Sequence, residues 1–186
     1  MESNQNLSFK QLALINRMRF LWEQHVYWAR MLLISIAENL KDQPEVTDRL
    51  LQNPYDIADL FADYYDDGAA NTIEELLTEH LQIGAALITA LRDNKSAAAD
   101  NLKRQWYLNA DKMAEAFSGI NPYYNREELQ RMLYSHLDLT TREVAMRLAG
   151  NYETDIEAFD DAEHAAILMA DYFSLGIMQQ FPEKFM

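Results

Sequence analysis

The residues of this chain best equipped for chemistry are its histidines, with the amides and acids spaced around them. Only four histidines occur. Two of them stand at the same point of two similar apolar segments, His80 in "LLTEHLQI" and His136 in "MLYSHLDL". A third, His25, follows a tryptophan in "WEQH", and the related stretch "WYLN" pairs Trp22 with Trp106 and His25 with Asn109. Near neutral pH an imidazole can be a base, an acid or a metal ligand. Cysteine is absent, which excludes disulfides, thiolate metal sites and cysteine nucleophiles.

The spacing around these histidines narrows the metal chemistry. A di-iron carboxylate bundle uses Glu-x-x-His pairs, whereas Trp22, Leu77 and Leu133 stand three residues before His25, His80 and His136. Asp161-x-x-His164 approaches the pattern with Asp in place of Glu, and no His-Glu-x-x-His motif of zinc proteases is present. Three imidazoles and one carboxylate would suit zinc, iron or manganese. The candidate metal ligands are therefore His25, His80, His136 and Glu163, with Glu143 about two turns beyond His136. As a pocket for a small ligand, the same layer would draw on His25, His80, Asn109, His136, Trp28 and Trp106. The competing reading is a satisfied polar network that sets helix register.

Helices must position these residues. Pro44, Pro54, Pro122 and Pro182 fall where helices would begin or end, and the five glycines are few for 186 residues. Apolar residues three and four apart predict a first helix over about 9–40, with Met18, Leu21, His25, Trp28, Leu32, Ser35 and Asn39 on one seam. A short helix is expected from Asn53 as cap and Pro54 as first helical residue. Further helices are predicted over about 72–91, 96–117, 126–149 and 153–180, the last with a seam of Ile156, Phe159, Glu163, Ala166, Ala170, Phe173 and Ile177. No strand-like alternation bounded by hairpin signals occurs.

Two segments, about 18–93 and 97–149, match as an internal repeat. Leu76/Met132, Leu77/Leu133, His80/His136 and Leu81/Leu137 correspond at one constant offset, while Trp22/Trp106 correspond at a larger one. The difference points to an insertion in the first half that contains the short helix. The expected architecture is all-α in one domain: an up-and-down four-helix bundle from a duplicated helical hairpin, plus the inserted helix and a long C-terminal helix. Its interior would bring His25, Asn109, His80 and His136 into one layer.

Composition excludes other classes. The hydrophobic share is 49% and charged residues make up 25%, which argues for a folded chain rather than a disordered one. A net charge of -14 repels phosphate backbones and anionic membranes, so no nucleic-acid partner is expected. The N-terminus lacks a secretory h-region, and no apolar run is long enough to span a membrane, so the expected location is cytoplasmic. Arg30 reads as a partner in a rim salt bridge, with an anchor for a carboxylate as the alternative. Leu168, Tyr172, Leu175 and Met178 give the last helix a wide apolar face that could serve a homodimer.

The stretches "LWEQHVYWARMLLISIAENL", "RLLQNP", "LLTEHL", "WYLNADKMAEAF", "INPYY", "HLDLT" and "MADYFSLGIMQQFPEKF" resemble a family of small all-helical bacterial proteins of uncharacterised function, mostly from Gram-positive soil organisms. The resemblance covers nearly the whole chain from about Leu21. Members are often labelled acetylglutamate kinase. Gly68, Gly84, Gly119, Gly150 and Gly176 form no Gly-rich loop that could cradle phosphates, so the kinase label does not transfer to this chain. The resemblance implies a helical architecture and assigns no catalytic residue. Function at this level is a helical protein whose polar layer binds a metal or small ligand, with a metal-dependent enzyme and a structural module as alternatives.

Overall fold

A computed structural model describes residues 7–186. Residues 1–6, on which part of the reading of the N-terminus rests, lie outside the described residues. Among the described residues the structure is all-helical, with seven α-helices, a closing 3-10 turn at Pro182–Phe185 and no strand. The helices are α1 (Phe9–Ala37), α2 (Gln43–Leu50), α3 (Gln52–Ala62), α4 (Asp67–Arg92), α5 (Ser96–Ile120), α6 (Arg126–Leu148) and α7 (Tyr152–Gln180). None is long and apolar enough to cross a membrane.

Local sequence explains most of the ends. The Ser8 hydroxyl accepts from the Gln11 amide while the Gln11 side chain accepts from the Ser8 amide, a reciprocal cap that starts α1. Asp66, Asn125 and Asn151 cap α4, α6 and α7 through their side-chain oxygens. α1 stops at Ala37, short of the expected 40, and Asn39 takes a left-handed φ of 52° beyond its end. Asn39 is therefore not on the seam. Pro44, expected only as a boundary, opens the additional helix α2. α3 also departs from expectation, because Asn53 sits inside the helix with its carboxamide engaged elsewhere, and the cap position falls to Leu51.

α4 packs most extensively on α5 and α6 on α7, while α1 lies against α7, α4, α3 and α2. One large core gathers Met18, Trp22, Phe61, Phe117, Leu129 and Phe173. Its aromatic centre is tight, with Phe117 and Phe173 ring centroids 4.5 Å apart and Trp22 and Phe173 5.1 Å apart. Each such side chain contributes on the order of 2 kcal/mol through burial. A second cluster, built on Leu32, Leu33, Ile36, Leu50, Leu81 and Ile88, lies further along α1 and α4.

α7 carries a stripe of small residues, Ala158, Ala162, Ala166 and Ala170, that lets it approach its neighbours closely. Its buried stripe in the first half reads Asp155, Ala158, Ala162. This corrects the expected seam by one position: Ile156 is 54% exposed, and Glu163 does not face the interior layer. Later in α7, Gly176 abuts the Tyr124 ring, whose hydroxyl donates to the Phe173 carbonyl at 2.7 Å. A methyl group on Gly176 would overlap that ring. Of the expected apolar face, Leu168 and Leu175 are exposed, whereas Tyr172 and Met178 pack against the core.

Candidate functional site

α1, α4 and α6 each direct one histidine to the same level of the interior. The rings of His25, His80 and His136 form a near-equilateral triangle, with centroid separations of 6.1, 5.9 and 5.8 Å. One ring nitrogen from each lies within 4.8 Å of the other two. His80 is buried, and His25 and His136 are half-buried.

Two asparagines hold two of these rings in the same way. Asn53 of α3 places its Oδ1 2.9 Å from His25 Nδ1, and its Nδ2 donates to the Leu21 carbonyl at 2.9 Å. Asn109 of α5 places its Oδ1 3.2 Å from His80 Nδ1, and its Nδ2 donates to the Leu76 carbonyl at 3.0 Å. In both cases the carbonyl belongs to the residue four positions before the histidine. A carbonyl can only accept, so each amide must turn its NH2 toward the backbone and its oxygen toward the ring. The ring nitrogen at that oxygen is then the protonated one. Nδ1–H donates to the asparagine, and Nε2 keeps its lone pair. This is how a second partner orients a metal-binding imidazole.

His136 lacks such a holder. Among the described residues its ring makes no hydrogen bond to the protein, although Thr140 bonds its backbone carbonyl. Trp106 flanks the layer: its indole N–H donates to the His80 carbonyl at 3.0 Å, and its ring lies 5.2 Å from the His80 ring. Gly84, one turn after His80, makes room for that indole, since a Cβ there would stand 3.3 Å from it.

Burial keeps the three imidazoles neutral. It lowers the His25 pKa against the opposing bond from Asn53, and it lowers that of His80 well below the ordinary value, helped by its two neighbours. His136 is pushed down to about 3, by burial first and by His25 second. Three neutral imidazoles, each with one ring nitrogen within 4.8 Å of the others, form a group that could hold a metal ion, since a protonated ring nitrogen has no lone pair to ligate with.

The imidazole layer forms the shared wall of two cavities. The larger, about 50 Å³, runs toward the second core cluster past Ala29, Leu33, Leu81 and Phe159 to Thr140 and Glu143. The smaller, about 30 Å³, is lined by apolar side chains apart from the histidines. At the far end of the larger cavity Glu143 is buried, and its Oε1 accepts from Arg30 at 2.7 Å. Burial raises the Glu143 pKa to about 6 despite the Arg30 pairing. The same guanidinium is bound by fully buried Asp155, through both its amino groups, and Arg147 approaches Asp155 at 3.5 Å. Arg30 is thus an interior charge with a 13% exposed side chain, and the expected rim salt bridge is corrected.

The structure brings together His25, His80, His136, Asn109 and Trp106, as the sequence suggested. Two expected residues lie elsewhere. Glu163 bonds the Tyr27 hydroxyl on the outside of the α1/α7 contact, because the inward stripe of α7 passes through Ala162 instead. Trp28 turns away from the layer and stacks under the Arg49 guanidinium at 4.9 Å, against the second core cluster. Asn53 and Asp155 escaped sequence reasoning. Asn53 resembled a helix cap beside a proline, and Asp155 one more acid in the first turn of a helix. The signal that could have found Asn53 is its separation from His25, which nearly repeats that of Asn109 from His80. No family model, curated protein or solved structure gives a significant match to this chain.

Proposed function

We propose that this protein binds one divalent transition metal, zinc, iron or manganese, through Nε2 of His25, His80 and His136, leaving open coordination positions toward the larger cavity. The observation that carries this reading is the orientation of two asparagine amides, which commits two imidazoles to one tautomer and frees their Nε2 lone pairs. A purely structural network would give the His136 ring a partner, and it has none among the described residues. Zinc–nitrogen bonds of about 2.0–2.1 Å place tetrahedral ligands roughly 3.4 Å apart, so the rings need to close by about 1.4 Å at most. Small rotations of half-buried side chains bordering two cavities supply that movement.

The paired constructions His25–Asn53 and His80–Asn109 also support a duplicated helix pair as the origin of the bundle. The net charge of -14 favours a small ligand or metal over nucleic acid as partner. Open positions beside a largely apolar cavity suit a metal-dependent enzyme as well as a binding protein.

The test is metal analysis of the purified protein with equilibrium dialysis against zinc, iron(II) and manganese(II). About one ion per chain is expected, lost in His80→Ala and His136→Ala, with stabilisation of the metal-bound form by about 4 kcal/mol at a thousandfold excess over Kd. A chain that retains none of the three ions, and whose unfolding midpoint ignores them, would show the layer to be structural.

A further inference from the structure

The two faces of the histidine layer differ. Three residues before each histidine stand Trp22, Leu77 and Leu133, and all of them line the smaller cavity. Four residues after each stand Ala29, Gly84 and Thr140, and all of them line the larger one. Side chains one turn apart on a helix lie above one another on the same face, so the two cavities sit on opposite sides of the layer. Bulky groups crowd one side and small residues leave space on the other, although the Trp106 indole takes up part of the room at Gly84. An ion held by the three rings therefore has its roomier coordination position on the side of Ala29 and Thr140.

Size and wall chemistry select what can occupy that position. An apolar cavity of about 150 Å³ takes benzene, which is roughly 25 Å³ for each ring carbon. On that scale a cavity of about 50 Å³ admits on the order of two heavy atoms. Val26, Leu33, Leu81 and Ile88 make its wall largely apolar. The side-chain donors on that wall are mostly spent: the Thr140 hydroxyl on the His136 carbonyl, the Trp106 indole on the His80 carbonyl, and Nδ1–H of His25 and His80 on asparagine oxygens. Only the His136 ring keeps an N–H without a partner among the described residues. An anion entering here would shed its water and meet at most one donor, whereas a neutral apolar molecule gives up little.

We infer that the larger cavity admits a neutral diatomic molecule, of the class of dioxygen, nitric oxide and carbon monoxide, to an open position on iron(II) held by His25, His80 and His136. This rests on the metal reading above and narrows its choice of ion. Zinc has a filled d shell and no redox chemistry, whereas non-haem iron(II) with open positions is the ion that takes such molecules. The step is ligation alone: the diatomic molecule shares a lone pair with the iron and keeps its own bond, and no proton moves.

The experiment loads the full chain with iron(II) under anaerobic conditions, measures its iron content and titrates three probes: nitric oxide, azide and imidazole. Nitric oxide should bind to the parent protein, read by the visible absorption and spin resonance of the iron nitrosyl. Azide, an anion, and imidazole, a neutral ring too large for the space, should each bind at least tenfold more weakly. Ala29→Val adds two carbons to the larger cavity, the size of the ligand itself, and should weaken nitric oxide at least tenfold with iron content unchanged. Ala166→Val, on the smaller cavity, should leave nitric oxide affinity as in the parent. An iron-loaded parent that forms no nitrosyl, or that takes azide or imidazole as tightly, overturns the inference while leaving the metal site standing, and needs no variant to fold. Parent affinity for nitric oxide in iron-loaded Ala29→Val, or a loss in Ala166→Val instead, overturns the assignment to the larger cavity. A chain that takes up zinc but no iron(II) sinks this inference alone, and one that holds no metal sinks both readings.

Discussion

Acidifying the metal-free protein from pH 7 to pH 5 should weaken the fold, and the amount can be worked from the histidine layer. Burial depresses the pKa values of His80 and His136 from 6.5, the latter to about 3. The folded state therefore takes up fewer protons than the unfolded chain once the pH drops below about 6.5, and stability is lost on acidification down to the folded pKa values. For His136 this costs about 2 kcal/mol over the interval, and His80, lowered well below its ordinary value, acts in the same direction. His25, also depressed, acts in the same direction.

Glu143 acts against them. Its pKa is raised from 4.5 to about 6, so the folded state binds the extra proton first, which stabilises the fold by about 1 kcal/mol between pH 7 and pH 5. His136 and Glu143 together leave a net loss of about 1 kcal/mol, to which the depressed His80 and His25 add. Urea unfolding in the presence of a chelator at the two pH values measures it, and the same pair of measurements on His136→Gln isolates one ring, whose removal should reduce the pH dependence by about 2 kcal/mol. If His136→Gln loses as much stability on acidification as the parent, the imidazole is charged or freely hydrated in the folded state. The assignment of a neutral His136 to the proposed metal site would then be wrong.

Further expectations concern single contacts. Asn53→Ala and Asn109→Ala should each lower zinc affinity 10- to 100-fold by freeing the ring orientation; competition with a chromophoric chelator reads this, and an unchanged affinity would mean that the amides do not set the tautomer. Arg30→Met removes the partner of buried Glu143 and Asp155 and should cost about 3–5 kcal/mol in urea unfolding at pH 7, whereas a cost below about 1 kcal/mol would show those carboxylates to be solvated. Gly176→Ala forces a methyl group into the Tyr124 ring and should destabilise by at least 1–3 kcal/mol; a neutral result would mean that Tyr124 is not anchored at the Phe173 carbonyl.

By itself the sequence determined the helical class, most helix boundaries and the candidate histidines. The spacing of apolar residues and the placement of the prolines act locally, and local signals survive without tertiary contacts. The repeated "EHL" and "SHL" stretches pointed to His80 and His136 because a polar residue recurring on an apolar seam must find a partner.

Tertiary structure decided which neighbours those histidines meet. Asn53 carries a cap-like sequence, yet its amide is drawn inward by His25 and the Leu21 carbonyl; no local pattern encodes a bond across twenty-eight residues. Likewise the phase of α7 about its axis is set by the small Ala158–Ala162–Ala166 stripe and by the pairing of Asp155 with Arg30. A helix turns 100° per residue, so an error of one position is enough to move Glu163 out of the metal set and to put Ala162 beside the cavity. Periodicity specifies that a helix has an inward face, and only packing against the other helices specifies which residues stand at its centre.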